Sequence, residues 1–386
     1  MKRAKIKRER LKDTFIKLAE IESPSRHESE LAKFITEIFA SEFGVQPLFD
    51  DSTSETGSDI GNMLIQLEGS KSHKPLFFNA HLDTVEPCNS VKVVYENGIL
   101  KSQGDTILGA DDKAAIAILI EVARILKEHK IEHGPLEFLF TVCEEIGLLG
   151  AKALDPNFFQ SEAGYALDST DINKLYNKAP AAIRTEIKVY GKAAHAGINP
   201  EAGINAIQIA ARAIAQIPQG RVDDITTCNT GIIHGGVATN IIPDLVEIKG
   251  EVRSHDEKQL KKVQDEIIAA FHKEIMAIRT QNSGAKTPPP TLPRVETSII
   301  NDYPLMNVPN DHPVVITAQK SASQLGRTIE ATSTGGGSDA NILNSKGKTT
   351  VILGIGMQKV HSTEEYILLD DMVATAELVL QIIQNW

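Results

Sequence analysis

The chain has 386 residues, a length typical of two or three domains. Apolar residues make up 41% and charged residues 24%, which excludes a mainly disordered chain, and no apolar run reaches the about 18 residues of a membrane span. The net charge of −11 argues against nucleic acid and anionic membranes as partners.

The N-terminal region predicts helices. Its basic first ten residues lead into Leu11, Phe15 and Leu18 at helical spacing, so we expect the solvated start of an amphipathic helix rather than a signal peptide. A second helix is predicted over residues 26–43. Without a signal peptide or a disulfide framework, since the three cysteines are far apart, the chain is predicted to be cytoplasmic.

Short apolar strands then alternate with helices, and the same pattern returns at the C-terminus. Such alternation predicts crossover connections and an α/β fold with a mostly parallel mixed sheet and flanking helices. The predicted strands cover residues 62–67, 75–80, 136–142 and 349–353, and the predicted helices residues 113–127 and 371–383.

The middle of the chain has a different order. Ser254 and Glu257 form a plausible capping box for its second helix. The order β-α-β-β-α-β predicts a ferredoxin-like α+β domain at residues 179–305, inserted between the two parts of the larger domain, 1–178 and 306–386. Its predicted elements are strand 183–190, helix 204–217, strands 228–233 and 245–252, helix 254–275 and strand 295–300.

Histidine and carboxylate residues are concentrated where strands should end. Taken singly, each has an ordinary explanation, such as a hydrogen-bonded pair, a helix N-cap or a solvated turn. Together they predict a metal site, because imidazoles and carboxylates bind zinc where no thiolates are supplied, and ligands bind beyond the carboxyl ends of parallel strands. The residues are His81 and Asp83, Asp111 and Asp112, Glu144 and Glu145, Asp168, and His361.

Geometry narrows some of these roles. Residues two apart on a strand share a face, so Asp83 can orient the His81 ring. Adjacent residues point apart, so one of Glu144 and Glu145 should bind metal while the other acts on a water as general base. A lone aspartate has two oxygens and can bridge two ions about 3.5–4 Å apart.

The ordered motifs HLDT, GADDKAA, EEIG, ALD and a late histidine resemble the dinuclear zinc metallopeptidase family that contains peptidase T (tripeptidase), glutamate carboxypeptidase and aminoacylase. GADDKAA, CEEIGLLGAKALD and GGGSDAN are most similar to the peptidase T-like branch. The resemblance implies two Zn²⁺ ions per subunit, with Co²⁺ or Mn²⁺ as substitutes. It implies that one ion is held by His81 and Asp168, the other by Glu145 and His361, and both by Asp111.

The resemblance also implies a reaction, the hydrolysis of short peptides by a tripeptidase or peptidase T-like aminopeptidase. A metal-bridging hydroxide would attack the scissile carbonyl, with Glu144 as general base. Asp83 would orient His81. The catalytic set is completed by His195, whose imidazole would stabilise the oxyanion. The implied substrate-binding residues are Asn240, Arg253 and Gly336.

The inserted domain is implied to be a lid and a dimerisation domain, so that the protein is a homodimer in which His195 reaches the partner's site. A cis peptide between Asp111 and Asp112 is implied as well. From the residues alone, His195 also fits a solvated turn, and Asn240 and Arg253 are better explained as a turn residue and a solvated strand residue.

One departure from the family's pattern keeps alternatives open. Tripeptidases of the family have a segment that resembles R-G-G-T-D, and in this chain Gly335 takes the place of its arginine. A guanidinium that could anchor a substrate terminus is therefore missing. An N-acyl amino acid amidohydrolase, a carboxypeptidase or a dipeptidase of the same family is therefore the alternative. A catalytically silent metal- or peptide-binding protein is disfavoured, because Glu144 is present beside the ligands.

Overall fold

The computed structural model describes residues 5–282 and 291–386. The chain divides into two compact units, Met1–Ala179 with Met306–Trp386, and Pro180–Leu305. Among the described residues, no helix combines the length and apolar character that a membrane span requires. Cys88, Cys143 and Cys228 are all buried and form no disulfide.

The elements are numbered here in chain order. The strands are β1 Leu48–Phe49, β2 Met63–Leu67, β3 Leu76–His81, β4 Val93–Glu96, β5 Ile99–Ser102, β6 Leu136–Thr141, β7 Ala163–Ala166, β8 Lys174–Ala179, β9 Ala181–Tyr190, β10 Gly220–Asp223, β11 Thr226–Gly235, β12 Leu245–Ser254, β13 Arg294–Tyr303, β14 Met306–Asn307, β15 Glu330–Ser333, β16 Thr349–Leu353, β17 Met357–Gln358 and β18 Tyr366–Leu368. The helices are α1 Arg8–Ala19, α2 Ser29–Ile38, α3 Thr53–Thr56, α4 Ala110–Glu128, α5 Leu149–Ala153, α6 Ala206–Ile214, α7 Glu257–Asn282, α8 Pro313–Gln324, α9 Asp339–Ser345 and α10 Leu369–Asn385. A π-helical turn, Phe39–Phe43, follows α2, and a 3₁₀ turn, Pro200–Ala202, precedes α6.

The first unit is built on a nine-stranded sheet in the order β1-β2-β6-β3-β7-β16-β8-β14, with β15 beside β8. Its four central strands, β6, β3, β7 and β16, are parallel, and antiparallel strands flank them on both sides. Every residue of β3 and β6 is buried, as expected for parallel strands inside an α/β fold. The predicted fold class is confirmed.

A glycine allows two central strands to pair closely. A Cβ atom on Gly164 of β7 would lie 2.3 Å from the backbone oxygen of Phe77 on β3. Only hydrogen fits at this position, because real Cβ atoms do not approach an oxygen so closely.

Helix α4 packs against α1 in the core of this unit. The N-terminal basic residues are less solvated than predicted, because Arg10 donates to the fully buried carboxylate of Glu121 on α4, at 2.6 Å from its Nε. Glu121 also accepts the backbone N–H of Lys7 at 2.9 Å. Residues 1–4 of the predicted basic segment lie outside the described part of the chain.

The second unit is a five-stranded antiparallel sheet, β10-β11-β12-β9-β13, packed with α6 and α7 around its own core. Without the short β10, the order β11-β12-β9-β13 is the ferredoxin-like arrangement expected from β-α-β-β-α-β.

The predicted capping box is wrong. Helix α7 begins at Glu257, and the side chain of Asp256 caps it by accepting the N–H of Gln259 at 2.8 Å. The hydroxyl of Ser254 instead accepts the N–H of Asp256 and bonds Thr226 on the neighbouring strand, so it is not available to the helix.

The chain leaves the first unit and returns to it at one place in the sheet. Strand β8 ends at Ala179, β14 begins at Met306, and these two residues are antiparallel partners. The 180–305 unit is therefore inserted between two paired strands.

Candidate metal centre

Four of the predicted site residues of the first unit follow strands that end at one edge of its nine-stranded sheet. His81 is the last residue of β3, Glu144 and Glu145 follow β6, and Asp168 follows β7. This placement follows from parallel pairing, which brings the carboxyl ends of these strands to the same edge. Asp111 joins them from the start of α4.

Asp111 stands between two imidazoles. One carboxylate oxygen lies 3.0 Å from Nε2 of His81, and the other lies 3.3 Å from Nε2 of His361. The same His361 nitrogen is 3.0 Å from a carboxylate oxygen of Glu145. Ligand atoms of His81, Asp111 and Glu145 all lie within 4.8 Å of one another. The peptide bond between Asp111 and Asp112 is cis.

The His81 ring is held in a defined orientation. Its Nδ1 lies 2.9 Å from the backbone oxygen of Asp83, which can only accept, so Nδ1 donates its proton there and Nε2 faces the carboxylate of Asp111. The Asp83 carboxylate is farther, at 3.5 Å. Both the main-chain carbonyl and the carboxylate of Asp83 therefore face Nδ1, with the carbonyl at the shorter distance, and steering of the ring by the Asp83 side chain stays a prediction.

The carboxylate of Asp83 also fixes the turn that carries the two glutamates. It accepts the backbone N–H groups of Glu144 at 2.9 Å and Glu145 at 3.2 Å, and the hydroxyl of Ser25 at 2.6 Å. Sequence reasoning missed this contact, since nothing in the motif shows that the partners are backbone groups.

A second buried carboxylate supports the same turn. Glu28 accepts the N–H of Cys143 at 3.0 Å and the hydroxyl of Ser58 at 2.6 Å. Three consecutive N–H groups, those of residues 143–145, are thus held by buried carboxylates. Glu28 was also missed by sequence reasoning, because it lies in the helical N-terminal region far from the motifs.

The site concentrates negative charge in a poorly solvated space. Burial, with the nearby charge of Asp168, raises the pKa of Glu144 well above its usual value, and burial, with the charge of Asp111, does the same to the pKa of Asp168. Burial also raises the pKa of Glu145. Burial alone would raise the pKa of Asp111, but hydrogen bonds from His361 and His81 hold this pKa well below its usual value.

These residues fit a bound divalent metal ion. Oε1 of Glu145 is buried and has no hydrogen-bond partner in the described part of the chain, so it is available as a ligand atom. The cluster offers imidazole nitrogens and carboxylate oxygens without a thiolate, a donor set that suits Zn²⁺, Co²⁺ or Mn²⁺.

Asp339 is a further buried carboxylate near this cluster. It accepts the hydroxyl of Thr141 at the end of β6, and burial raises its pKa to about 6. Its signal in the sequence is the segment GGGSDAN, in which Ser338 caps α9. In the same segment, Gly336 is half-buried and donates its N–H to the hydroxyl of Thr334 at 3.3 Å.

The remaining predicted residues lie in the second unit. His195 is exposed, and its Nδ1 accepts the N–H of Gly197 at 3.2 Å, so the neutral ring carries its proton on Nε2. The backbone oxygen of Asn240 accepts the N–H of Ala196 at 2.9 Å, which brings these two loops together. Arg253 on β12 pairs with Glu251 at 3.1 Å.

A family model described as Peptidase family M20/M25/M40 matches residues 77–385. The chain belongs to this family. It is 40% identical to "Uncharacterized protein YqjE" of Bacillus subtilis over 98% of this chain and 99% of that protein. It is 26% identical to "Peptidase T" of Limosilactobacillus fermentum over 86% of this chain and 78% of that protein.

Two solved structures are similar over nearly the whole chain. One is aminopeptidase PepT from Bacillus cereus, with 37% identity, a TM-score of 0.89 and coverage of 98% of this chain and 99% of that one. The other is a tripeptidase from Staphylococcus aureus, with 36% identity, a TM-score of 0.90 and 98% coverage of both. The predicted family and its peptidase T-like branch are confirmed, and these likenesses support a peptidase.

Proposed function

We propose that the protein is a dinuclear metallopeptidase that hydrolyses short peptides, with Zn²⁺ as its metal. The observation that carries the proposal is the position of Asp111, whose two carboxylate oxygens each face a different histidine. His81 with Asp168 would hold one ion, and Glu145 with His361 the other. When bound, the two ions would polarise the scissile carbonyl and make a water acidic enough to attack near neutral pH.

The chain's own residues would move the protons and hold the substrate. Glu144, in its poorly solvated position, would take the proton of the attacking water and pass it to the leaving amine. His195 would donate its Nε2–H to the developing oxyanion, which is consistent with Nδ1 accepting a backbone N–H. Arg253, with Asn240 and Gly336, would contact the peptide, the guanidinium pairing with a substrate carboxylate.

The first experiment tests the two glutamates. Glu144→Gln should retain two metal ions per chain and lower kcat by about 10²–10⁴-fold, because only proton transfer is lost. Glu145→Gln should lower the metal content. Metal analysis with the reverse pattern would show that the roles of the two residues are exchanged.

The substrate is tested with a panel of tripeptides, dipeptides and N-acyl amino acids with free and blocked termini, offered to the Zn²⁺- or Co²⁺-loaded protein. We expect tripeptides with a free N-terminus to be cleaved, in line with the likeness to an aminopeptidase and a tripeptidase. Cleavage of N-acyl amino acids alone would favour the amidohydrolase alternative, for which Gly335 in place of an arginine is the relevant feature.

We also propose a homodimer formed through the second unit. This unit exposes several large apolar side chains, among them Ile233 at 50% and Val237 at 82%. Within the described residues, the β11 segment from Ile232 to Gly235 pairs with β12 alone, so its other edge is open to a second copy. A self-complementary apolar patch beside an open edge is typical of a two-fold interface.

The oligomeric state is measured by sedimentation velocity. Ile233→Asp should shift the protein from dimer to monomer. Ile316→Asp is the matched control, since Ile316 is equally exposed but lies on α8 of the first unit. A wild-type monomer at micromolar concentration would contradict the proposal.

Action of His195 across the dimer is tested by complementation. Glu144→Gln and His195→Ala, each nearly inactive, are mixed under conditions of demonstrated subunit exchange. Activity should return, because one site of each heterodimer has an intact Glu144 and receives an intact His195. No recovery would show that His195 acts within its own chain or not at all.

A further inference from the structure

Glu365 is a buried carboxylate that the proposed reaction does not use. It lies four residues after His361, directly before β18, and is 1% exposed. Its Oε2 accepts the backbone N–H of Gly109 at 2.7 Å, and its Oε1 accepts the backbone N–H of Asp111 at 3.0 Å. Both oxygens are therefore engaged by the segment that begins α4.

This segment needs an external acceptor. Asp111 and Asp112 depart from helical backbone angles, and the first N–H groups of a helix have no partner within it. Buried N–H groups left unpaired are costly, so the carboxylate of Glu365 both satisfies them and fixes the backbone on each side of residue 110.

The segment 361–365 thus contacts Asp111 in two ways. His361 faces its side chain at 3.3 Å, and Glu365 holds its backbone N–H. Glu365 itself is anchored, because its own N–H donates to the oxygen of Ser362 at 3.0 Å and the following strand, β18, pairs with β5. The orientation of the Asp111 carboxylate between the two histidines therefore depends on a fixed acceptor 254 positions away in the chain.

We propose that Glu365 is a positioning residue that sets the orientation of the Asp111 carboxylate and thereby the affinity of the site for both metal ions. This inference rests on the proposed dinuclear centre. It follows the general behaviour of groups that orient metal ligands, whose loss lowers metal affinity by about 10–100-fold.

The test uses Glu365→Gln in the full-length chain. Glutamine has the same shape but only one acceptor oxygen, so its amide N–H₂ would face one of the two backbone N–H groups. Zn²⁺ affinity, measured by competition with a chromophoric chelator, should fall by about 10–100-fold, and the absorption spectrum of the Co²⁺-loaded protein should change. The matched control is Glu364→Gln, because Glu364 is the exposed neighbour and pairs with Lys359 at the surface.

The outcomes separate the inference from the proposed function. A wild-type chain that binds no metal would end the proposed function. A wild-type chain that binds two ions, with Glu365→Gln binding them equally tightly and with an unchanged Co²⁺ spectrum, would overturn the inference alone. A purely structural role would lower the urea midpoint of the metal-free variant and leave metal affinity unchanged, which also overturns it. If Glu365→Gln does not fold, Glu365→Asp keeps the carboxylate but withdraws it by one methylene from the N–H groups of Gly109 and Asp111, so metal affinity should again fall, and wild-type affinity there would refute the inference.

Discussion

Replacing Asp83 by asparagine should weaken both metal binding and turnover. In the protein, one oxygen of Asp83 accepts the N–H of Glu144, and the other accepts the N–H of Glu145 and the hydroxyl of Ser25. Asparagine keeps one acceptor oxygen. The hydroxyl of Ser25 can rotate to accept from the new amide, but the backbone N–H of Glu145 cannot, so one buried donor loses its partner.

The magnitude follows from that single unpaired donor. A buried donor left without a partner costs about 1–3 kcal/mol. If the turn shifts to relieve it, kcat should fall by about 5- to 150-fold, since about 1.4 kcal/mol corresponds to a factor of ten. The variant Ser25→Ala leaves both N–H groups paired with Asp83 and should lower kcat by less than about tenfold.

The assay combines steady-state kinetics at saturating metal with metal titration and urea denaturation of the same preparations. The peptide substrate is the one cleaved best in the panel described above. Wild-type kcat and metal affinity in a folded Asp83→Asn protein would refute the argument, because the turn would then keep its geometry without the carboxylate.

Three further outcomes are expected. Gly164→Ala should lower the free energy of unfolding by about 1–3 kcal/mol, measured by urea denaturation, because its Cβ would collide with Phe77; an unchanged midpoint would contradict the close strand approach. Glu42→Gln should lower the free energy of unfolding by up to about 1 kcal/mol at pH 7 and by progressively less below about pH 4. Hydrogen bonds from Arg124 lower the pKa of Glu42, and the stabilisation that they provide is lost as the carboxylate is protonated. Chelation of bound metal should lower Tm and added Zn²⁺ should restore it, whereas a Tm insensitive to both would contradict a metal that binds the folded state.

The sequence was most informative where histidine and carboxylate residues fall at the ends of predicted strands. Strand β16 has the bounds predicted for it, because a short apolar run between turns has few alternatives. Short apolar runs also predict strands that end near His81 and Glu145, and the structure brings these two side chains into one cluster. The ferredoxin-like order of the second unit also followed from hydrophobic periodicity alone.

Other features could not be predicted, because they depend on backbone groups that are distant in the sequence. Glu28 contacts a residue 115 positions away, and neither it nor its partner's N–H carries a recognisable pattern. The orientation of the His81 ring depends on a carbonyl that every residue possesses. Helix α7 is capped by Asp256 and not by Ser254, because the serine hydroxyl bonds Thr226 on another strand.

The paired positions of Ala179 and Met306 have a consequence for how this architecture tolerates change. Antiparallel partners lie about 4.5–5.5 Å apart, a gap that a two-residue hairpin turn closes. The chain therefore leaves and re-enters the sheet of the larger unit as it would at the two ends of a surface loop. Insertions at this junction could be exchanged, enlarged or deleted while the strands that present the metal ligands keep their pairing.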